Sequence, residues 1–198
     1  MKHALDPEIT GISPRGMLYR MLGFEAGLGV LALILAWLAG ISLVSAFPGA
    51  WLAALGWGVL ATMPLLLMMV WFETSQLEWL VEIRGFVEHK LIPLFEGISA
   101  GGILLIALFA GVFEELLFRG VIQIGLEGSL GLWPALLLTS LLFGLAHAMT
   151  RAYFVITTLM GLYLGALYIW SDHLLVPILA HFLYDWAVFT WLLRKRAG

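Results

Sequence analysis

The feature that most limits the fold of this chain is a series of long apolar segments joined by short polar connections. Hydrophobic residues make up 62% of its 198 residues and charged residues only 12%, against about 45–50% and about 25% in soluble domains. A soluble globule of this size has too little interior to bury so much apolar surface. Lipid is therefore the expected solvent for most of the chain.

The apolar segments predict six membrane-spanning helices, since one span takes about 20 residues. We place them at residues 22–44, 50–72, 98–124, 132–149, 153–170 and 174–193, with ends uncertain by several residues. Pro48-Gly49 separate the first two spans, and Gly125, Gly128 and Gly131 separate the third from the fourth. The connections leave no room for a second domain, so residues 1–198 are expected to form a single integral membrane domain.

Residues 73–96 differ from the spans because glutamates alternate with apolar residues there. The apolar members fall near one face of a helix; they are Leu77, Leu80, Val81, Val87 and Leu91. This pattern predicts an amphipathic helix lying at the membrane interface, with a plain connecting loop as the alternative. The predicted fold class is all-α, a polytopic bundle of about six transmembrane helices plus one interfacial helix.

The basic residues give the predicted orientation, because cytoplasmic flanks collect Lys and Arg. With six spans, nine of the ten basic residues fall on one side: Lys2, Arg15, Arg20, Arg84, Lys90, Arg151, Arg194, Lys195 and Arg196. An odd number of spans would place the two basic tails on opposite sides. We therefore expect a multi-pass protein of the cell membrane with both termini cytoplasmic.

The tenth basic residue, Arg119, lies inside the third span together with Glu114 and Glu115. A charge at a helix centre costs about 2.5–3.5 kcal/mol even on insertion-based scales, so such groups are first interpreted as functional. Glu115 and Arg119 are four residues apart and can pair on one helix face, which assigns them mainly to structure. Glu114 lies about 100° around the helix without that partner and is the candidate general base. The alternative is one structural ion cluster.

Two histidines in other spans are candidates to join Glu114. His147 ends the fourth span, where an ordinary interfacial histidine is the alternative. His181 and Asp185 are four residues apart in the sixth span, so the carboxylate could orient the imidazole. The alternative for this pair is a buried hydrogen bond that ties helices together.

One glutamate and two histidines from three spans are a suitable set for activating water. Glu25 and Glu73, at the edges of the first and second spans, receive no role. No HExxH, GxSxG or P-loop motif is present. The absence of cysteine excludes disulfides and thiolate metal sites. With a net charge of −3, the composition points to no nucleic-acid partner.

These residues form three motifs, Glu-Glu-x-x-x-Arg, Phe-x-x-x-His and His-x-x-x-Asp, at Glu114, Glu115, Arg119, Phe143, His147, His181 and Asp185. Their order and separation resemble the CPBP intramembrane proteases, also called Abi or CAAX protease and bacteriocin-processing proteins, which include the type II CAAX prenyl endopeptidases. The resemblance covers about residues 98–193, expected to be the catalytic core. Asp185 departs from the prenyl endopeptidases, which carry Asn there, and an ionised aspartate cannot donate a hydrogen bond.

The resemblance implies an intramembrane hydrolase, an endopeptidase that acts on a peptide or membrane-protein substrate at the lipid bilayer. It does not imply a prenylated substrate. Glu114 would activate water, and His147 and His181 would position the water or stabilise the oxyanion. In a metalloprotease version these three residues would bind zinc, and a metal-free glutamate protease is equally compatible with them. A non-proteolytic membrane scaffold or regulatory partner is the alternative function.

The predicted spans contain one conflict. They place His147 near the cytoplasmic end of its span and His181 nearer the opposite face. At a rise of about 1.5 Å per residue, this arrangement separates the two histidines too far for one site. The shared order of the motifs predicts convergence, and it carries more weight than span ends uncertain by several residues.

Overall fold

The computed structural model describes residues 12–197, and the regular elements in this part of the chain are all helical. The α-helices are α1 (Pro14–Ala39), α2 (Trp51–Thr74), α3 (Glu78–Phe86), α4 (Ala100–Leu117), α5 (Ile124–Leu130), α6 (Leu132–Ala146), α7 (Arg151–Ser171) and α8 (Leu175–Ala197). A π-helical segment, Phe118–Gln123, joins α4 to α5. Within the described part, α1, α2, α4 with α5, α7 and α8 are long and apolar enough to cross a membrane, and α6 is shorter. The predicted all-α polytopic bundle is confirmed.

Helix α1 begins earlier than the predicted first span because a local capping signal precedes the apolar run. The Ser13 side chain accepts a hydrogen bond from the N–H of Gly16 at 3.1 Å. Pro14 follows in the first helical position, where its missing N–H is no loss. Gly40 ends the helix in the left-handed conformation, with φ of 67°. Lys2, counted in the basic N-terminal tail, lies outside the described residues.

The boundary between the third and fourth predicted spans depends on one glycine rather than three. Gly125 and Gly128 lie within α5, which continues the helix of α4. Gly131 alone separates α5 from α6, with φ of 83°, a conformation that residues with a side chain rarely adopt. The third predicted span therefore extends to Leu130.

The segment between α2 and α4 is helical, but it is not the single amphipathic helix predicted for residues 73–96. After α3, the chain forms a π-helical turn at Val87–Leu91 and a 3₁₀ turn at Ile92–Phe95. Because these pitches differ, one apolar stripe cannot continue through the whole segment.

The apolar face of α3 is only partly as predicted. Leu80 and Ile83 are buried in a cluster with Ile156 of α7. Leu77 and Val81, which were placed on the same face, are exposed. The position of α7 decides which residues of this short helix are covered.

Helix α4 lies between α1 and α8, while α2 packs on α8 and α6 pairs with α7. Gly111 permits the close approach of α4 to α8: a Cβ there would lie 2.9 Å from the backbone nitrogen of Phe182 and 3.0 Å from the carbonyl oxygen of Ile178. Small residues serve this purpose in lipid, where the hydrophobic effect does not drive helices together. The contact holds the helix that carries His181 against the helix that carries Glu114.

Helices α1 and α4 run parallel. Their early parts share a hydrophobic cluster (Leu18, Met21, Ile103 and Ile106), and their later parts share another (Ala32, Ala36, Leu117 and Val121). The carboxylate of Glu25, between the two clusters in sequence, is therefore at the depth of the segment that contains Glu114.

We expect Gly111→Ala to destabilise the protein by about 1–3 kcal/mol, because the added methyl group would meet the backbone of α8, which cannot move aside as a side chain can. Gly101→Ala is the matched control in the same helix, since nothing lies within 4 Å of its Cβ position. Thermal unfolding of the purified variants in detergent measures the difference. Equal midpoints would contradict the close approach of α4 and α8.

Candidate active site

A buried ion pair lies at the centre of the site. Arg119 Nη1 lies 2.7 Å from Glu115 Oε1, and neither side chain is exposed. Arg119 Nη2 donates to the carbonyl oxygen of Gly161 in α7 at 2.8 Å. The guanidinium also lies over the ring of Phe143 in α6, 4.6 Å from its centroid. One arginine therefore connects α4 to both α6 and α7.

His181 is oriented by a partner on another helix. Its Nδ1 lies 2.9 Å from the same Glu115 oxygen that accepts from Arg119. Because a carboxylate only accepts, Nδ1 carries the proton in this bond. The predicted partner, Asp185, lies further away, with Oδ2 at 3.5 Å from Nε2. The spacing within α8 predicted the longer contact and could not indicate the shorter one.

Glu114 faces the second histidine. His147 Nδ1 lies 2.8 Å from the carbonyl oxygen of Phe143, to which it donates. This bond turns Nε2 toward Glu114 Oε2 at 3.6 Å, beyond the usual hydrogen-bond range of about 2.7–3.2 Å. Glu114 is only 6% exposed, and its Oε2 has no hydrogen-bond partner in the described part of the chain.

The separation of His147 from His181 implied by the predicted span ends is wrong, and the two rings lie close together as the motif order predicts. The ring of Phe143 lies 4.5 Å from the ring of His147 and 5.9 Å from that of His181, measured between centroids. The predicted span 132–149 was too long, because α6 ends at Ala146 after 15 residues, a length of about 22 Å. The end of α6 therefore brings His147 to the level of Glu114.

One cavity of about 520 Å³ joins these groups, which is large enough for a small ligand. Glu114, His147, His181 and Asp185 line it, and most of the remaining wall is aromatic or aliphatic. The cavity extends to Glu88 in the segment between α2 and α4. It therefore offers polar groups at one place within a mainly apolar surface.

Glu25 of α1 also lines this cavity, although the sequence analysis gave it no role. It was placed at the edge of the first span, but α1 begins at Pro14, so Glu25 lies about three turns inside the helix. The available signal was a carboxylate within an apolar segment, the same signal that singled out Glu114.

The predicted zinc ligands do not form a metal site as the structure places them. Within residues 12–197, no three His, Cys, Asp or Glu side chains are grouped to hold a metal ion. Both ring nitrogens of His181 face carboxylates, those of Glu115 and Asp185. The Nδ1 of His147 is used by a backbone carbonyl. These hydrogen bonds fix the orientation of both imidazole rings.

We expect Arg119→Met to destabilise the protein by about 3–5 kcal/mol, because it leaves Glu115 as an uncompensated buried charge. Arg151→Met removes an exposed arginine and serves as the control. Thermal unfolding in detergent compares the two variants. A similar small effect of both would show that the buried ion pair does not hold the helices together.

Comparison with known proteins supports the resemblance. Residues 97–187 match the family model of the type II CAAX prenyl endopeptidases, Rce1-like. A Bacillus subtilis (strain 168) protein named uncharacterized protein YpbD is 32% identical over 130 residues, or 64% of this chain. The chain spans 60% of the length of that relative. No solved structure matches.

The matched region contains all seven motif residues, from Glu114 to Asp185. The family predicted from the three motifs is thereby confirmed for this part of the chain. The match of residues 97–187 to the Rce1-like type II CAAX prenyl endopeptidases supports a CAAX-protease family assignment.

Proposed function

We propose that this protein is an intramembrane endopeptidase in which Glu114 activates water to hydrolyse a peptide bond. The observation that carries the proposal is the position of Glu114: nine-tenths buried, facing the cavity, with an imidazole nitrogen of His147 at 3.6 Å. The family match supports CAAX-protease-like activity in general. A peptide or a segment of a membrane protein is the proposed substrate.

The first step is proton transfer from water. Because Nδ1–H of His147 donates to a backbone carbonyl, the neutral ring presents the lone pair of Nε2 toward Glu114. A water molecule beside both groups donates one hydrogen to Glu114 Oε2 and the other to Nε2. Glu114 takes the proton as the water oxygen forms a bond to the carbonyl carbon, and the carbonyl electron pair moves to oxygen.

The second step is collapse of the tetrahedral oxyanion. His181, whose Nδ1 is held by Glu115, directs Nε2 toward the cavity and donates to the oxyanion when that nitrogen is protonated. The C–N bond then breaks, and the Glu114 carboxyl returns its proton to the leaving amine. An ionised Asp185 cannot donate, so in this mechanism it orients the His181 ring, 3.5 Å away, without binding the oxyanion.

We expect Glu114→Gln to lower kcat/KM by about 10²–10⁴-fold, because the amide has nearly the same size but cannot accept the proton. The assay is cleavage of candidate membrane and leader peptides by the purified full chain, followed by mass spectrometry. Glu82→Gln is the control, since Glu82 is exposed on α3 and lies outside the cavity. Normal cleavage by Glu114→Gln would remove the mechanism. A loss of folding as large as the loss of activity would favour the scaffold alternative.

A metal-free mechanism predicts that cleavage survives chelation. Elemental analysis of active protein, before and after treatment with a chelator, measures metal content beside activity. Stoichiometric zinc that is lost together with activity, and restores activity when returned, would replace Glu114-only activation of water by metal-assisted activation.

We also propose that both termini lie on the cytoplasmic side. In support, the start of α1 and the end of α8 are at the same end of the bundle. Gly97, just before α4, lies against the start of α1, since a Cβ there would lie 2.8 Å from the Pro14 ring. Lys195, near the end of α8, donates hydrogen bonds to Glu73 at the end of α2 (2.9 Å) and to Glu88 after α3 (2.7 Å). The concentration of basic residues then assigns this end to the cytoplasm, and the cavity extends to Glu73 and Glu88 at this end.

A reporter fusion tests this orientation. Alkaline phosphatase fused after residue 198 should be inactive, whereas the same enzyme inserted at Asp172, in the turn between α7 and α8, should be active. Fluorescent-protein fusions should show the opposite pattern. An active phosphatase at residue 198 would overturn the proposed orientation.

A further inference from the structure

Glu25 is an acidic side chain in the cavity for which the proposed mechanism has no use. It projects from α1, a helix that contributes none of the three motifs. Its Oε2 is shielded from solvent and has no hydrogen-bond partner within residues 12–197. An acidic group in an apolar helix is costly unless a partner compensates it.

The depth of Glu25 matches that of the reacting groups. A Cβ at Gly29, one turn further along α1, would lie 2.5 Å from the ring of Phe113, the residue before Glu114. Glu25 lines the same cavity as Glu114, His147, His181 and Asp185. It therefore lies near the place where the scissile bond would be held.

Within residues 12–197, no lysine or arginine forms an ion pair with Glu25. Arg119 is paired with Glu115 and donates to the carbonyl oxygen of Gly161. Arg20 also lines the cavity, but it is exposed and forms no ion pair with Glu25. The paired cations at the end of the bundle use other acids: Lys195 bonds Glu73 and Glu88, and Arg196 bonds Glu96.

We propose that Glu25 is a specificity-determining residue that binds a basic side chain of the substrate beside the scissile bond. The inference rests on the proposed peptidase function. A lysine ammonium or arginine guanidinium would give the shielded oxygen of Glu25 a charge-assisted hydrogen bond. Glu114 is itself nine-tenths buried with an unpaired oxygen in the same cavity, and Asp185 adds a third acid.

Three carboxyl groups therefore line the polar end of the cavity, and the one buried arginine beside them is already paired with Glu115. When ionised between apolar walls, such carboxylates attract a cation and disfavour an acidic residue at the same position. Since extended peptide advances about 3.3–3.6 Å per residue, the basic residue belongs within about two positions of the cut.

The test uses peptide pairs that differ in one ammonium group. A peptide that the 198-residue chain cleaves is made with either lysine or norleucine at each of two positions on both sides of the cut. At one position, the wild-type protein should favour lysine by about tenfold or more in kcat/KM, the range of one hydrogen bond to a charged group. Glu25→Gln should abolish most of this preference, Glu25→Asp should retain part of it, and the control Glu82→Gln should retain all of it.

A binding measurement separates this inference from the peptidase proposal. Glu114→Gln and the double variant Glu114→Gln with Glu25→Gln are titrated with the same fluorescently labelled peptides, so that no cleavage is needed. Only the protein that retains Glu25 should bind the lysine peptide more tightly than the norleucine peptide. A lysine preference that survives Glu25→Gln, or no preference at any position, overturns the role of Glu25 even if Glu114 proves essential for cleavage. Tight lysine-selective binding without any cleavage would overturn the peptidase proposal alone.

Discussion

The structure depends on buried ionic groups that pair with one another, because a membrane interior does not solvate charges. Glu115 and Arg119 are both without exposed surface, and an unpaired charge at such a position would cost several kcal/mol. Glu115 Oε1 accepts from both Arg119 and His181. Arg119 continues to the backbone of Gly161. This one cluster thus joins α4, α7 and α8, and the remaining site is built around it.

The two adjacent glutamates have opposite environments because consecutive helix positions point about 100° apart. Glu115 faces protein and is used for structure. Glu114 faces the cavity, where His147 Nε2 lies 3.6 Å from its Oε2. A short helix makes this meeting possible: α6 ends at Ala146, so the chain turns at the level of the carboxylate. In the proposed chemistry Glu114 is therefore the reacting group, whereas the adjacent Glu115 stabilises the helix packing.

Close helix packing gives the cluster its fixed geometry. Gly111 brings α4 against the backbone of α8. Beyond Arg119, the π-helical segment continues to Gln123, whose amide donates to the carbonyl oxygen of Gly165 at 3.4 Å. Backbone carbonyls of α7 thus accept from two buried polar side chains, which is possible where glycine leaves the helix surface open. Such contacts compensate polar groups that lipid cannot hydrogen-bond.

The sequence by itself determined the fold class, the approximate helices and the family resemblance, because apolar length, helical periodicity and motif order are local properties of the chain. It also determined the Glu115–Arg119 pair, since a spacing of four fixes two side chains on one face. The bond from Glu115 to His181 and the place of Glu25 were decided only by the tertiary structure. Both depend on the depth of each helix relative to its neighbours in the bundle. This depth follows from packing contacts between segments that are distant in sequence, which no local pattern encodes.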